Sequence, residues 1–152
     1  MRQNWSKRKI MALRLPRTAV VDTGFWFALC ARNDQYHLQA LAKEELLHSL
    51  NLIIPWPCLY ETLNTWFVKN PISVRTFESF CQRPNVELAD DTKYREAAYS
   101  QTFALAPKRP ISLVDMVIRY ILDDVNIRKD CLLTFNRRDF VDVCRKRQIE
   151  IL

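Results

Sequence analysis

The sequence predicts an α/β protein in which a central, mainly parallel sheet is flanked by helices on both faces. Short runs rich in β-branched residues alternate with longer segments of helical periodicity, and strands that alternate with helices usually form parallel sheets. The chain has 152 residues, of which 49% are hydrophobic, and this is enough for one domain with a sizeable core. We therefore expect a three-layer α/β/α domain over residues 18–152.

The first half of the domain is predicted from TAVVD, a β-branched run that ends at Asp22, and from NLIIP, which is stopped by Pro55. Leucines at helical spacing predict one long helix between these two strands, with Asp34 as its N-cap. FWFALCARN and LYETLNTWFVK also have helical patterns. The predicted elements are strands at 18–22 and 51–55 and helices at 25–33, 35–50 and 59–69.

The second half alternates in the same way. Asp90 or Asp91 is expected to cap one helix, and Ser112 to cap the strongly amphipathic segment LVDMVIRYILDDV. The segment APKRP, with two prolines, predicts a loop before that helix. The predicted elements are strands at 85–88, 131–135 and 149–152 and helices at 72–83, 92–105, 113–125 and 137–147.

The positive charge is concentrated at the start of the chain. Six of the 23 Lys and Arg residues lie in 1–17, a segment without acidic residues, and the other 17 balance the 17 Asp and Glu residues. We interpret 1–17 as a flexible basic arm that could bind a polyanion such as RNA. The alternatives are a solubilising tail, or a segment that precedes a true start at Met11.

The cysteines indicate a reducing compartment, and we expect a cytoplasmic protein. There are five, an odd number, widely spaced and without a CxxC pair, which argues against a disulfide framework and against a zinc site. No apolar run approaches the roughly 20 residues that a membrane span needs, so we expect no association with a membrane.

The chain contains a single glycine, Gly24, two positions after Asp22. Average usage predicts roughly ten glycines at this length, so the remaining one is expected to have a backbone role. We expect a tight turn that leads the chain away from the strand end and leaves the space beside Asp22 open.

Four acidic residues are expected to project towards the rim formed by the carboxyl ends of the strands. Asp22 ends the first strand, Glu61 follows the second, Asp115 lies in the first turn after Ser112, and Asp139 follows the fourth strand. In such sheets functional residues gather at this edge. Converging carboxylates repel one another, a divalent cation removes that cost, and oxygen ligands favour Mg²⁺ or Mn²⁺. Taken singly, Asp22 could be a helix N-cap, and Asp115 an acid favoured by the helix dipole.

The segments VVDTGFW, LYETLN, SLVDMVIRYIL and LLTFNRRDF resemble the PIN domain, the metal-dependent ribonuclease fold that includes VapC-like toxins. The resemblance runs from about residue 18 to the C-terminus. It implies a PIN-like fold and the hydrolysis of RNA phosphodiester bonds with Mg²⁺ or Mn²⁺. The matching positions are the metal-binding acids Asp22, Glu61 and Asp115 and the hydroxyl residues Thr23, Ser112 and Thr134.

The sequence departs from the commonest family pattern after the fourth strand, where the family often has Asp and sometimes Asn, and this chain has Asn136. We expect the Asn136 amide to orient a water or a phosphate, and Asp139 to supply the missing charge through water. Arg119, Arg137 and Arg138 could contact RNA phosphates. The alternative for each of them is a solvated surface position or a pair with a nearby carboxylate.

The expected function is therefore that of a metal-dependent endoribonuclease, as the toxin of a toxin–antitoxin pair or as an RNA-processing enzyme. The resemblance also implies a homodimer and an antitoxin protein as partners, with CLYETLNTWFVK and QYHLQAL as candidate contact segments. The alternative is a catalytically weak module of the same fold that binds RNA or protein, which Asn136 favours. An aspartyl phosphotransferase is disfavoured because its second acid would stand where Gly24 lies.

Overall fold

The computed structural model describes residues 17–152, and its centre is a five-stranded sheet in which every strand runs parallel to its neighbours. The predicted basic arm lies outside the described residues except for Arg17. All five predicted strands are present. They are β1 (Thr18–Val21), β2 (Asn51–Pro55), β3 (Val86–Ala89), β4 (Cys131–Leu133) and β5 (Glu150–Ile151), in the spatial order β3-β2-β1-β4-β5.

The helices connect successive strands and cover both faces of the sheet. They are α1 (Thr23–Cys30), α2 (His37–Leu41), α3 (Glu44–Ser49), α4 (Trp56–Thr62), α5 (Pro71–Cys81), α6 (Thr92–Leu105), α7 (Leu113–Asp123) and α8 (Arg137–Arg147), with a short 3₁₀ turn at Phe67–Lys69. One group packs around α1, which contacts α2, α4 and α5. A second group consists of α6, α7 and α8, with α7 in contact with both of its neighbours.

This arrangement confirms the predicted α/β/α layers with a central parallel sheet. Because both faces of the sheet are covered, β1 is buried along its whole length and β2 along most of its length. The apolar core on the α1 side includes Trp26, which packs against Phe77 and Phe80 of α5.

The single helix predicted over 35–50 is wrong, because the chain forms α2 and α3 with a break at Ala42 and Lys43. The predicted leucine face is also wrong in part. Leu38 is 79% exposed, whereas Ala40 and Leu47 are fully buried. The break allows each short helix to bury its own residue. Asp34 does not cap α2, since its side chain accepts a hydrogen bond from the Tyr36 amide in the turn before the helix.

The helix predicted over 59–69 begins earlier and ends sooner, at Thr62. Its end is explained by Asn64, whose side-chain oxygen accepts hydrogen bonds from the amides of Trp66 and Phe67. Such a local bond competes with the helical pattern. At α6, the Asp90 side chain accepts from Thr92, and Asp91 makes no capping bond.

The topology brings the carboxyl ends of β1 and β4 together at the middle of the sheet. The Asp22 amide donates a hydrogen bond of 3.0 Å to the Leu133 carbonyl, which extends the parallel pairing to the last residues of the two strands. Residues that follow either strand therefore start from neighbouring positions on one edge. Within residues 17–152, no helix combines the length and apolar character needed to cross a bilayer.

Candidate active site

Asp22 lies at the carboxyl end of β1 and is 5% exposed. Its Oδ2 atom accepts a hydrogen bond of 2.8 Å from the Thr134 hydroxyl, which directly follows β4. Burial raises the pKa of the Asp22 carboxyl, while the Thr134 hydroxyl and the amides of Thr23 and Gly24 lower it. Among residues 17–152, no Lys or Arg forms an ion pair with Asp22. The site thus contains a buried acid that is compensated only by neutral donors.

Glu61 approaches from α4 and is held by the residue that follows Asp22. The Thr23 hydroxyl donates a hydrogen bond of 2.8 Å to a Glu61 carboxylate oxygen. The two acids are close enough for the charge of Glu61 to raise the pKa of Asp22. Thr23 therefore positions a second carboxylate over the end of β1.

Asp115 is in the first turn of α7, where the predicted capping by Ser112 is confirmed. The Ser112 side-chain oxygen accepts a hydrogen bond of 3.1 Å from the Asp115 amide. Burial raises the pKa of the Asp115 carboxyl to about 7, and the charges of Asp22, Glu61 and Asp139 contribute to this rise. Asp115 thus lies within electrostatic range of all three other predicted acids.

Asn136 lies between two of the acids. Its side-chain amide donates a hydrogen bond of 2.9 Å to Asp139 and one of 3.3 Å to Asp115, and its backbone amide donates to the Thr134 hydroxyl oxygen. Asp139 is 7% exposed and has a second contact, at 3.4 Å, with Arg138. Asn136 therefore acts as a neutral donor between two carboxylates.

The structure brings the predicted acids to one edge but does not preassemble three of them. Among residues 17–152, no three His, Cys, Asp or Glu side chains are arranged closely enough to hold an ion together. The donor set still fits Mg²⁺ or Mn²⁺, because the ligands are oxygens and Mg²⁺ commonly binds through one or two carboxylates with several waters. The buried carboxylates also favour a bound cation, because their negative charge is costly without a positive partner.

Gly24 is the second residue of α1, and its φ is not positive, so the predicted tight turn is wrong. The nearest heavy atom to a Cβ at this position would be Oδ2 of Asp22, at 3.9 Å. A side chain would therefore cover the carboxylate without clashing with the protein. The expectation that Gly24 leaves space beside Asp22 agrees with this geometry.

Arg119 pairs with the carboxylate of Asp142 and also donates a hydrogen bond to the backbone carbonyl of Asp139. Its two terminal nitrogens lie 2.7 and 2.8 Å from the Asp142 carboxylate, and Arg109 also contacts this carboxylate, at 3.0 Å. Of the two interpretations of Arg119, the structure thus supports the ion pair. Asp142 and Arg109 were not predicted to matter, and no sequence spacing identifies them, since Arg109 is 33 residues from Asp142.

An aromatic stack beside the site was also not predicted. Tyr36 stacks on Phe135 with ring centroids 4.5 Å apart and an interplanar angle of 4°, and Phe25 lies on the same ring at 5.9 Å. Phe135 stands between Thr134 and Asn136, so the stack supports the turn that carries both donors. Tyr36 lies at the start of the helix predicted over 35–50, and Phe135 comes from a distant part of the chain, so no sequence spacing indicated that the two rings stack.

A groove of about 850 Å³ lies between α4, α6 and α7, and Glu61 is one of the residues that line it. Its lining is mostly apolar and includes Leu113 and Val117. Two tyrosines at its walls, Tyr60 and Tyr99, are 72% and 59% exposed. Phe103, one turn after Tyr99 on α6, is 65% exposed. Tyr99 and Phe103 are in contact, with ring centroids 5.1 Å apart, so the exposed aromatic side chains form a patch. Charged residues, among them Arg95 and Glu96, also line the groove.

No protein-family model and no curated protein matches this sequence. Among solved structures, the chain is similar to VapC20 of Mycobacterium tuberculosis, which is described as a toxin that cleaves the sarcin-ricin loop. The TM-score is 0.64 at 17% sequence identity, over 82% of this chain and 95% of that chain. The similarity confirms the PIN-like α/β/α fold expected from the sequence.

Proposed function

We propose that the protein is a metal-dependent endoribonuclease that hydrolyses RNA phosphodiester bonds. The observation that carries the proposal is the approach of the buried acid Asp22 to the half-buried acid Asp115 at one sheet edge, where no Lys or Arg among the described residues forms an ion pair with either of them. Such a pair is costly in the free protein. A divalent cation would compensate these charges and would also attract the negatively charged phosphodiester.

The residues that would hold Mg²⁺ or Mn²⁺ are Asp22 and Asp115, with Glu61 as a further ligand or as the acid that orients a water. Such an ion, when bound, supplies positive charge for the scissile phosphate and a water of lowered pKa. Thr134 and Thr23 fix the rotamers of Asp22 and Glu61 through their hydroxyls.

Asn136 and Asp139 lie next to Asp115 and are expected to have supporting roles. Asn136 bridges Asp115 and Asp139, because its side-chain amide donates a hydrogen bond to each of them. The negative charge of Asp139 raises the pKa of Asp115, but Asp139 is not among the groups that shift the pKa of Asp22. The expected contribution of Asp139 to activity is therefore smaller than that of Asp22 or Asp115.

The proposal is tested with purified protein and labelled RNA in Mn²⁺, Mg²⁺ or EDTA. We expect cleavage with either metal and none in EDTA, and a loss of about 100-fold or more in rate for Asp22→Asn or Asp115→Asn, since both remove ligand charge. Asp123→Asn, on an acid that pairs with Lys146 and Arg147 at the far end of α7, is the matched control. Wild-type protein that binds RNA but never cuts it with either metal would rule out the enzyme.

A catalytically weak RNA- or protein-binding module is the second candidate. It is favoured by Asn136, which replaces an acid, and by the missing three-acid cluster among residues 17–152. This candidate predicts that Asp22→Asn leaves RNA affinity unchanged and that no metal supports cleavage. The two candidates therefore differ in a single cleavage assay.

The biological role we propose is that of a toxin restrained by an antitoxin protein, by analogy with VapC20. We also propose a homodimer that buries the apolar groove between α4 and α7, because Tyr60, Tyr99 and Phe103 are more than half exposed. Light scattering after gel filtration measures the mass, and Phe103→Glu should yield monomers. A reducing, cytoplasmic location is consistent with the five cysteines, which are all unpaired.

A further inference from the structure

The exposed face of α8 carries arginines that the candidate active site does not use. Arg138, Val141 and Arg145 follow one another at helical spacing and are all exposed, and Arg137 lies beside them. Within residues 17–152, Arg137 and Arg145 form no ion pair, and Arg138, whose side chain is 83% exposed, has only the 3.4 Å contact with Asp139. We call Arg137, Arg138 and Arg145 the α8 arginine face.

The acids near this face already have other partners. Asp142 is held by Arg109 and Arg119. Asp123 pairs with Lys146 and Arg147. Because Asp142 and Asp123 are paired with other basic side chains, they do not neutralise the positive charge of the α8 arginine face.

The direction of α8 links this face to the active site. The helix starts directly after Asn136 and runs for 11 residues, about 16 Å at 1.5 Å per residue. It leads from the carboxyl end of β4 to the side of the sheet where the strands begin. Arg138 is the member of the face that lies beside the acids, since it contacts Asp139, and Arg145 lies about two turns further along the helix. The α8 arginine face thus forms a path that begins beside the candidate catalytic acids.

We propose that the α8 arginine face binds the phosphates of a single RNA strand that enters or leaves the active site. This inference rests on the proposed function, which places the scissile phosphate at the acids. Guanidinium groups suit phosphates because they are permanently charged and present paired donors. RNA fits better than a folded protein partner, because only Val141 contributes exposed apolar area between the arginines.

The test measures the affinity of a labelled single-stranded RNA by fluorescence anisotropy over a series of salt concentrations. The Asp22→Asn background with Mg²⁺ keeps the probe intact during the measurement. For Arg137→Gln/Arg138→Gln/Arg145→Gln, we expect about a tenfold loss of affinity and a decrease of about 2 in the slope of log K against log salt, since each phosphate contact on a single strand contributes about 0.7.

Arg75→Gln is the matched control for the single variant Arg145→Gln. Both arginines are exposed on helices and unpaired among the described residues, but Arg75 lies on α5, which packs against β3 at the other edge of the sheet. We expect Arg145→Gln to lower the salt slope by about 0.7 and Arg75→Gln to leave it unchanged. Circular dichroism verifies folding, and if the triple variant does not fold, the single pair decides.

The inference is overturned if the folded arginine variants bind RNA with wild-type affinity and salt slope, or if Arg75→Gln weakens binding as much as Arg145→Gln does. Failure of the nuclease proposal has a different signature. In that case the wild-type protein never cleaves RNA with Mn²⁺, while the arginine variants still lose RNA affinity. The two proposals can therefore fail independently.

Discussion

The Thr134 hydroxyl donates a hydrogen bond of 2.8 Å to Asp22 and so joins the carboxyl ends of two neighbouring parallel strands. Both side chains are buried, at 2% and 5% exposure. A buried carboxylate without a donor is unfavourable. This bond therefore helps to keep an acid at the end of β1, and removing it tests both stability and metal binding.

Thr134→Val keeps the shape of the side chain but removes the hydroxyl from Asp22 and from the Asn136 amide. We expect a loss of about 1–2 kcal/mol in the free energy of unfolding, because two buried polar groups lose a partner. Urea denaturation in EDTA measures this loss. We also expect weaker Mn²⁺ binding by calorimetry, since the Asp22 rotamer is no longer fixed.

Thr134→Ser is the control, because it keeps the hydroxyl and loses only a methyl group. It should retain Mn²⁺ affinity even if it is less stable than the wild type. Equal Mn²⁺ affinity of the Val and wild-type proteins would contradict a positioning role for Thr134.

Asn136→Asp replaces the donor between Asp115 and Asp139 with a further acid. In EDTA at neutral pH we expect a loss of about 1–3 kcal/mol in stability, because two hydrogen bonds become repulsions. Mn²⁺ should bind more tightly, since the site gains a ligand charge. Thermal melts with and without Mn²⁺ measure both effects.

Asn136→Ala separates the lost donor from the added charge. It should be destabilised without any gain in Mn²⁺ affinity. If Asn136→Asp binds Mn²⁺ no more tightly than Asn136→Ala does, the site does not use an acid at this position.

Asp142 provides a pH-dependent contribution to stability. Hydrogen bonds from Arg119 and Arg109 hold the pKa of Asp142 well below its usual range. The ion pairs therefore stabilise the fold above the unfolded pKa of about 4 and are lost as the pH falls towards the lower folded value. Because the Asp142 side chain is 46% exposed, the effect is at most about 1 kcal/mol.

Asp142→Asn should accordingly lower the melting temperature by a few degrees at about pH 7 and by less at about pH 3. Asp34→Asn is the control, since Asp34 forms no ion pair among residues 17–152. A difference between Asp142→Asn and wild type that is constant across this pH range would contradict the linkage.

The sequence predicted features that depend on local patterns. The β-branched run before Asp22 predicted β1, and the amphipathic segment after Ser112 predicted both α7 and its cap. Because parallel strands share an edge for their carboxyl ends, the order of elements placed Asp22 near the residues that follow β4, and the predicted helix start at Ser112 placed Asp115 at a helix N-terminus that faces the same edge. The alternation of strands with helices and the Ser112 cap thus predicted where Asp22 and Asp115 lie in the fold.

Features that depend on tertiary partners were not predictable. Leu38 and Leu41 repeat at helical spacing, yet the core takes Ala40 instead and breaks the helix. The partner of Arg119 comes from α8, 23 residues away, and nothing in the spacing of either segment identifies it. Periodicity shows that a helix exists, but not which of its faces the rest of the fold covers.

The last prediction concerns the single glycine. Gly24→Ala should stabilise α1 by about 0.5 kcal/mol, because Gly24 has helical backbone geometry and alanine has the higher helix propensity. The added methyl group would lie 3.9 Å from Oδ2 of Asp22. It would not strain the protein, but it would fill space that a hydrated ion needs. We therefore expect a higher melting temperature together with weaker Mn²⁺ binding.

Ser79→Ala, at an exposed position of α5, is the matched control because it also raises helix propensity but lies outside the site. It should increase stability slightly and leave Mn²⁺ affinity unchanged. Calorimetric titration and thermal melts of the two variants separate the effects. If Gly24→Ala binds Mn²⁺ as tightly as the wild type does, the open space at this position is not needed for metal binding.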